Sequence, residues 1–232
     1  IPDQRWGCAR LTAEFLAGKT MTAKPTLEFF YDCSSPWTYF AFTRIIPMME
    51  QLALPIRWRP ILVGGVFNAV NQEVYKAREA MFSSGGSPRL NYYMKDMQDW
   101  ARLCGVRAEM PEGHPINSVK AMRGAFYAEQ QGLMVPYSRA VFEAYWDSGS
   151  PNIADDQVLG AICARVGLDS EGFFSAITKQ HYKDLLRQNT DELIARGGYG
   201  SPTLFIDGDD MYFGNDRLEL VGSRLKQRVD AQ

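Results

Sequence analysis

The sequence predicts an α/β fold: a small sheet assembled from two separated stretches of chain, with an all-helical segment inserted between them. Three observations predict it. A strand–helix–strand unit opens the readable chain at 26–60. A pair of short strands and a final helix close it at 203–230. The text between them is helical throughout.

Residues 26–31 (TLEFFY) are short, apolar and aromatic, as a buried strand requires. Asp32 to Ser35 make a turn. Pro36 suits a first helical position, where its missing N–H costs nothing. The helix runs to Gln51, with Tyr39, Phe40, Ile46 and Met49 at helical spacing and a kink expected at Pro47. Residues 56–60 (IRWRP) complete a βαβ unit, whose crossover should be right-handed. Gly64-Gly65 is then expected to break the chain. From 73 to 196, helix follows helix. The first spans 88–104 and is ended by Gly105. The second spans 117–131, with Asn117 or Ser118 as N-cap. Helices at 136–146, 155–166, 170–179 and 182–195 follow, separated by Gly, Pro and Ser signals. Gly197, Gly198 and Gly200 interrupt the helical text. Residues 203–206 form a strand, Gly208 turns it, and 211–213 are its hairpin partner. Asn215 is expected to cap a last helix over 216–230.

The order βαβ–helices–ββα is that of a thioredoxin-like fold with an all-helical insertion. Its expected parts are an N-terminal extension at 1–23, a first half at 24–72, the helical insertion at 73–196 and a second half at 197–232. Met21 is a candidate internal start. Charged residues at Asp3, Arg5, Arg10, Glu14 and Lys19 interrupt any signal-like apolar stretch before it.

Composition narrows the function classes. The chain has 232 residues, 46% of them hydrophobic, which is enough to bury a core. Its formal net charge of −2 lacks the basic excess of a nucleic-acid binder. No apolar run approaches the ~18–20 residues that span a bilayer, so no membrane partner is expected. The four cysteines (Cys8, Cys33, Cys104, Cys163) are scattered, which excludes a CxxC pair and a cysteine-rich zinc site. Two histidines in unrelated contexts argue against a metal centre. These counts point to a reduced, cytoplasmic protein with no metal.

Four stretches can carry chemistry. At Asp32-Cys33-Ser34-Ser35-Pro36-Trp37-Thr38 a strand ends and a helix begins. Helix N-termini stabilise anions, and a thiolate held at one has a depressed pKa. Ser35 is either an ordinary N-cap or a hydroxyl that donates to a thiolate brought by another molecule; the two are compatible. Cys33 competes as a nucleophile, although a lone strand cysteine usually serves as a small buried hydrophobe. Ser201-Pro202 enters a strand, either as a cis peptide or as a strand-start proline. There the Ser201 backbone can pair with an extended peptide. Asn215 and Asp216 are caps, or they hold the α-amino acid end of a ligand. Asn71, after the second strand, is a polar loop residue that by itself says little.

In this order FFYDCSSPWTY, RPILVGGVF with NQ after it, and GSPT followed by FGNDRLE resemble one family. It is that of the 2-hydroxychromene-2-carboxylate isomerases and kappa-class glutathione transferases, in the DsbA-like branch of the thioredoxin superfamily. The likeness runs from Leu27 to Leu225, and the segment Pro115-Ile116-Asn117-Ser118 with Ala121-Met122-Arg123 shares it. Where that superfamily carries CxxC, this chain has Ser35-Pro36-Trp37-Thr38, so disulfide exchange through the site is excluded chemically. The resemblance implies glutathione as cosubstrate, a small aromatic substrate and a homodimer. It implies Ser35 as the group that meets the glutathione sulfur. It implies Asn71, Ser201, Pro202, Asn215 and Asp216 as its further contacts, the last two at the γ-glutamyl end. Asn-Asp at that pair leans to the isomerases, where the transferases tend to have Ser-Asp.

The reaction implied interconverts 2-hydroxychromene-2-carboxylate and trans-o-hydroxybenzylidenepyruvate, a step of aromatic (naphthalene) catabolism, by reversible thiolate addition. A transferase acting on electrophiles and a non-redox binder of thiols or peptides are the alternatives. Tyr92, Tyr93, Met94 and Trp100 are candidates either for an apolar roof over the site or for core.

Overall fold

The computed structural model describes residues 24–83, 86–147 and 151–231. The expected extension at 1–23, with Cys8 and Met21, lies outside them. Four strands form one sheet in the order β2-β1-β3-β4. β1 (Leu27–Tyr31) runs parallel to β2 (Ile56–Pro60), pairing Leu27 with Ile56 and Tyr31 with Pro60. On its other side it runs antiparallel to β3 (Thr203–Ile206), pairing Leu27 with Ile206 and Phe30 with Thr203. β4 (Asp210–Phe213) closes the hairpin on β3.

β1 is buried along its whole length, as a strand covered on both faces is. Its side chains alternate between two cores. Leu27, Phe29 and Tyr31 join the large core, while Phe30 packs with Ile61, Val66, Leu193 and Phe205 on the opposite face. Glu28 shares that second face. There it pairs with Arg59 of β2 and with Arg196, whose guanidinium lies 3.8 Å from the Phe205 ring centre. Buried charge is tolerated here because it is paired.

α1 (Pro36–Gln51) buries Tyr39, Phe40, Phe42, Ile45 and Met49 on the first face, with Pro47 inside the helix. Ile45 rather than Ile46 carries the buried stripe. Seven further helices precede α9: α2 (Val63–Val70), α3 (Gln72–Ser83), α4 (Pro88–Cys104), α5 (Val119–Gln130), α6 (Met134–Trp146), α7 (Asp156–Val166) and α8 (Ser170–Thr178). α9 (Gln180–Ala195) closes the expected 73–196 stretch and lies against β2, supplying Leu193 to the second core. α6 is tied to the start of α1: Trp146 Nε1 donates to the Cys33 carbonyl at 2.7 Å.

Several element ends follow local chemistry. Ser87 caps α4 by accepting from Leu90 N, Pro88 opens it, and Gly105 ends it in the left-handed region at φ 65°. Asp155 and Asp169 cap α7 and α8.

Two expectations fail. Gly64-Gly65 does not break the chain; both glycines sit in the first turn of α2. Glycine costs about 1 kcal/mol in a helix, and tertiary contacts offset it. Leu62 N donates to Thr190 Oγ1 at 3.0 Å and Val63 N to Asp32 Oδ2 at 2.8 Å, so distant side chains do the capping. The final helix also starts later. Asn215–Arg217 is a 3-10 turn, and α10 is Leu218–Asp230. The Asn215 side chain makes no capping bond; the residue is buried, and Arg44 of α1 donates to its carbonyl at 2.9 Å.

No helix among the described residues is long and apolar enough to cross a membrane.

Candidate active site

The site is built where β1 hands the chain to α1. Ser35 takes extended backbone (φ −109°, ψ 122°) and caps the helix by accepting from Thr38 N at 3.3 Å. Its own proton goes across to the Ser201 carbonyl at 3.1 Å. The Ser201–Pro202 bond is cis. The Ser201 hydroxyl accepts from Asp32 N at 3.0 Å and pairs with Thr38 Oγ1 at 2.8 Å. Ser35 and Ser201 are therefore in direct contact, and Ser35 is seen in its capping role.

Both serines lie on the wall of a cavity of about 760 Å³. Aromatic side chains from α2 and α3 (Phe67, Tyr75, Phe82) form one side. The segment from His114 to Val119 forms another. Of the two readings of Tyr92, Tyr93, Met94 and Trp100, roof or core, the roof is not met: none of them lines this cavity. Tyr92 is exposed, while Tyr93, Met94 and Trp100 pack partly buried against the large core.

Three helix N-termini end at this cavity: Ser35 before α1, Val63 to Gly65 in α2, and Ser118 before α5. Each carries partial positive charge. Among the described residues, no Lys or Arg lines the wall. Asp32 is the acidic residue on the wall among the described residues, and it is fully buried. Its Oδ1 accepts from Ser34 N and Ser34 Oγ, both at 3.0 Å. Its Oδ2 accepts from Val63 N at 2.8 Å and Ser118 Oγ at 3.2 Å. Burial pushes the Asp32 carboxyl above the usual carboxylate range, against the pull of those four donors.

Cys33 faces away from this chemistry. It is buried within the large core, and burial holds its thiol well above the ordinary range, so it is a neutral, inert group.

The remaining sequence candidates surround the site unequally. Pro202 accepts from Gly214 N at 3.0 Å, which joins the cis-proline loop to the turn holding Asn215 and Asp216. Asn215 Nδ2 is buried without a partner among the described residues. Asp216 is half-exposed beside Arg217 at 3.3 Å. Neither lines the cavity. Asn71 ends α2 and donates from Nδ2 to the Tyr199 carbonyl at 3.1 Å; Asn68, one turn earlier, lines the wall instead.

Sequence reasoning gave Asp32 only a place in a turn and Ser118 only a capping role. The one available signal was a charge closing an otherwise apolar strand. His114 went unassigned; its Nδ1 pairs with Tyr145 OH at 2.9 Å, and Tyr145 also accepts from Ile116 N at 3.0 Å.

A family model described as a DSBA-like thioredoxin domain matches residues 26–226. Over 200 residues the chain is 26% identical to a 2-hydroxychromene-2-carboxylate isomerase of Pseudomonas putida, covering 86% of this chain and 93% of the relative. Over 219 residues it is 25% identical to glutathione S-transferase kappa 2 of Caenorhabditis elegans, covering 89% and 94%. A solved 2-hydroxychromene-2-carboxylate isomerase superposes with a TM-score of 0.69 at 27% identity, covering 89% of this chain and 99% of that one. A probable DsbA oxidoreductase from Streptomyces coelicolor superposes with a TM-score of 0.71 at 16% identity, covering 90% and 91%, a likeness of fold alone.

Proposed function

The chain belongs to the family of DSBA-like thioredoxin domains, and from that premise we propose a glutathione-dependent isomerase. Its reaction is the interconversion of 2-hydroxychromene-2-carboxylate and trans-o-hydroxybenzylidenepyruvate. The observation that carries the reading is Ser35: a hydroxyl at a helix N-terminus, against the cis-proline loop, on the wall of a large cavity. The helix start holds Ser35-Pro36-Trp37-Thr38, without a cysteine to exchange disulfides. The sulfur must come from elsewhere. Relatives named as isomerases and as glutathione transferases support the same reading.

Ser35, Ser201, Pro202, Asn215 and Asp216 would hold glutathione. Asn215 Nδ2 is a buried donor without an acceptor among the described residues, and a γ-glutamyl carboxylate would supply one. Asp216 accepts the neighbouring ammonium. Ser201 and Pro202 offer backbone to the cysteinyl part, as a strand addition does. Asn71 braces this loop through Tyr199, at a distance from the cavity. When bound, glutathione supplies a thiolate that adds reversibly to a conjugated enone, allowing rotation about the former double bond. Ser35 then turns its proton from the Ser201 carbonyl to the sulfur and holds the thiolate charge there, helped by the α1 terminus.

Incubation with 2-hydroxychromene-2-carboxylate and substoichiometric glutathione, followed by ultraviolet absorbance, tests this. Turnover beyond the glutathione present is expected. Consumption of one glutathione per product would select the second reading, a kappa-type transferase acting on electrophiles, which the transferase relatives favour.

A further inference from the structure

Asp32 is buried, ionisable and on the cavity wall, and the thiolate chemistry does not use it. Its neighbour Ser118 is equally informative. Ser118 occupies the N-cap position of α5 yet makes no capping bond; Asn117 Oδ1 takes the Val119 N–H at 2.9 Å instead. A serine in that position ordinarily accepts from the helix. Here its proton is directed at Asp32 Oδ2, and the residue itself lines the cavity wall.

We propose that Asp32, acting through the Ser118 hydroxyl, takes up and returns the proton that opens and closes the substrate ring. The proposal rests on the isomerase reading above. The ring form bears a hemiketal hydroxyl. As that proton moves to Ser118 Oγ, the Ser118 proton moves to Asp32 Oδ2. The hemiketal carbon becomes a carbonyl, and its bond to the ring oxygen breaks with the electron pair leaving as phenolate. Asp32 returns the proton through Ser118 to the phenolate oxygen. No electrons enter or leave, and the carboxylate ends as it began. Asp32 is then a positioning and proton-holding residue, and Ser118 is the group that touches substrate.

The surroundings suit a proton acceptor. Among the described residues, Tyr31 at the end of β1, Cys33 in the turn and Tyr145 of α6 are titratable groups close enough to feel the Asp32 charge, and His114 shares its cavity. Among the described residues, no Lys or Arg bonds it. Burial raises its proton affinity above that of an ordinary carboxylate, which favours a proton acceptor.

The test compares wild type, Asp32→Asn, Ser118→Ala and Ser118→Thr. It measures kcat across pH at saturating glutathione, and the melting shift that glutathione gives. Wild type should lose rate at acid pH as Asp32 becomes protonated. Asp32→Asn should keep only the part of that limb set by the bound thiol and fall about 10²-fold or more at neutral pH. Ser118→Ala should fall similarly, and Ser118→Thr should recover, with the melting shift kept in all. Wild-type rate and pH profile in Asp32→Asn would overturn the proposal, as would loss of the melting shift in a folded Asp32→Asn. If Asp32→Asn does not fold, equal rates for Ser118→Ala and Ser118→Thr overturn it. Wild type that fails to isomerise while still binding glutathione removes the isomerase reading together with this one. Active wild type with unaffected variants removes this one alone.

Discussion

Ser35→Ala separates capping from thiolate stabilisation. The hydroxyl makes two bonds, accepting from Thr38 N at 3.3 Å and donating to the Ser201 carbonyl at 3.1 Å. Losing the cap costs about 0.5–2 kcal/mol of stability. The effect on a bound thiol is a difference. A hydrogen bond to a charged sulfur contributes about 1.5–3 kcal/mol, but Ser35 must give up its neutral bond to Ser201, about 1 kcal/mol. The net is about 0.5–2 kcal/mol. At 1.36 kcal/mol per unit, the thiol of bound glutathione should titrate about 0.4–1.5 units higher in the variant. Thiolate absorbance of the saturated complex, titrated against pH, reads this directly. A bound thiol that titrates identically in wild type and Ser35→Ala would refute the reasoning, and Ser35 would be a cap and nothing more.

Three further outcomes are expected. Cys33→Ala should leave activity unchanged and cost about 1 kcal/mol, since Cys33 only fills core; an inactive, folded Cys33→Ala would contradict that. Gly124→Ala should destabilise by about 1–3 kcal/mol, because the added Cβ would lie 2.2 Å from the Phe173 ring and 2.5 Å from Tyr137 OH, which is itself bonded to Ala121 O; an unchanged urea midpoint would show that those rings can yield. Asp32 binds its proton more tightly folded than unfolded. Stability should therefore be lost as pH rises above the unfolded value near ~3.9 until the raised folded pKa is passed. Asp32→Asn should show a flatter dependence in thermal melts over that window, and an equal slope in both proteins would assign the loss to other groups.

The parts legible in the sequence were those governed by local chemistry. β1 announced itself as an apolar run, and α4 by Ser87, Pro88 and Gly105, all within a few residues of the ends they set. α2 was illegible because its caps come from Asp32 and Thr190, far away in the chain. The start of α10 shifted for a similar reason: Asn215 is held by Arg44 of α1 rather than by its own helix. Ser35 and Ser201 could be placed because the strand–helix junction and the strand-start proline are local marks. Asp32 and Ser118 could not, since their significance lies in a bond across 86 residues. The cavity lining escaped too: aromatic residues of α2 and α3 form it, and nothing in their spacing tells a cavity wall from core.

The central claim is that the reactive sulfur is borrowed and is received by Ser35. A crystal structure with glutathione bound tests it most directly. The account predicts the sulfur within hydrogen-bonding distance of Ser35 Oγ, the cysteinyl backbone along Ser201, and the γ-glutamyl end at Asn215 and Asp216. Sulfur bonded to Cys33, or glutathione seated away from Ser35, would contradict it.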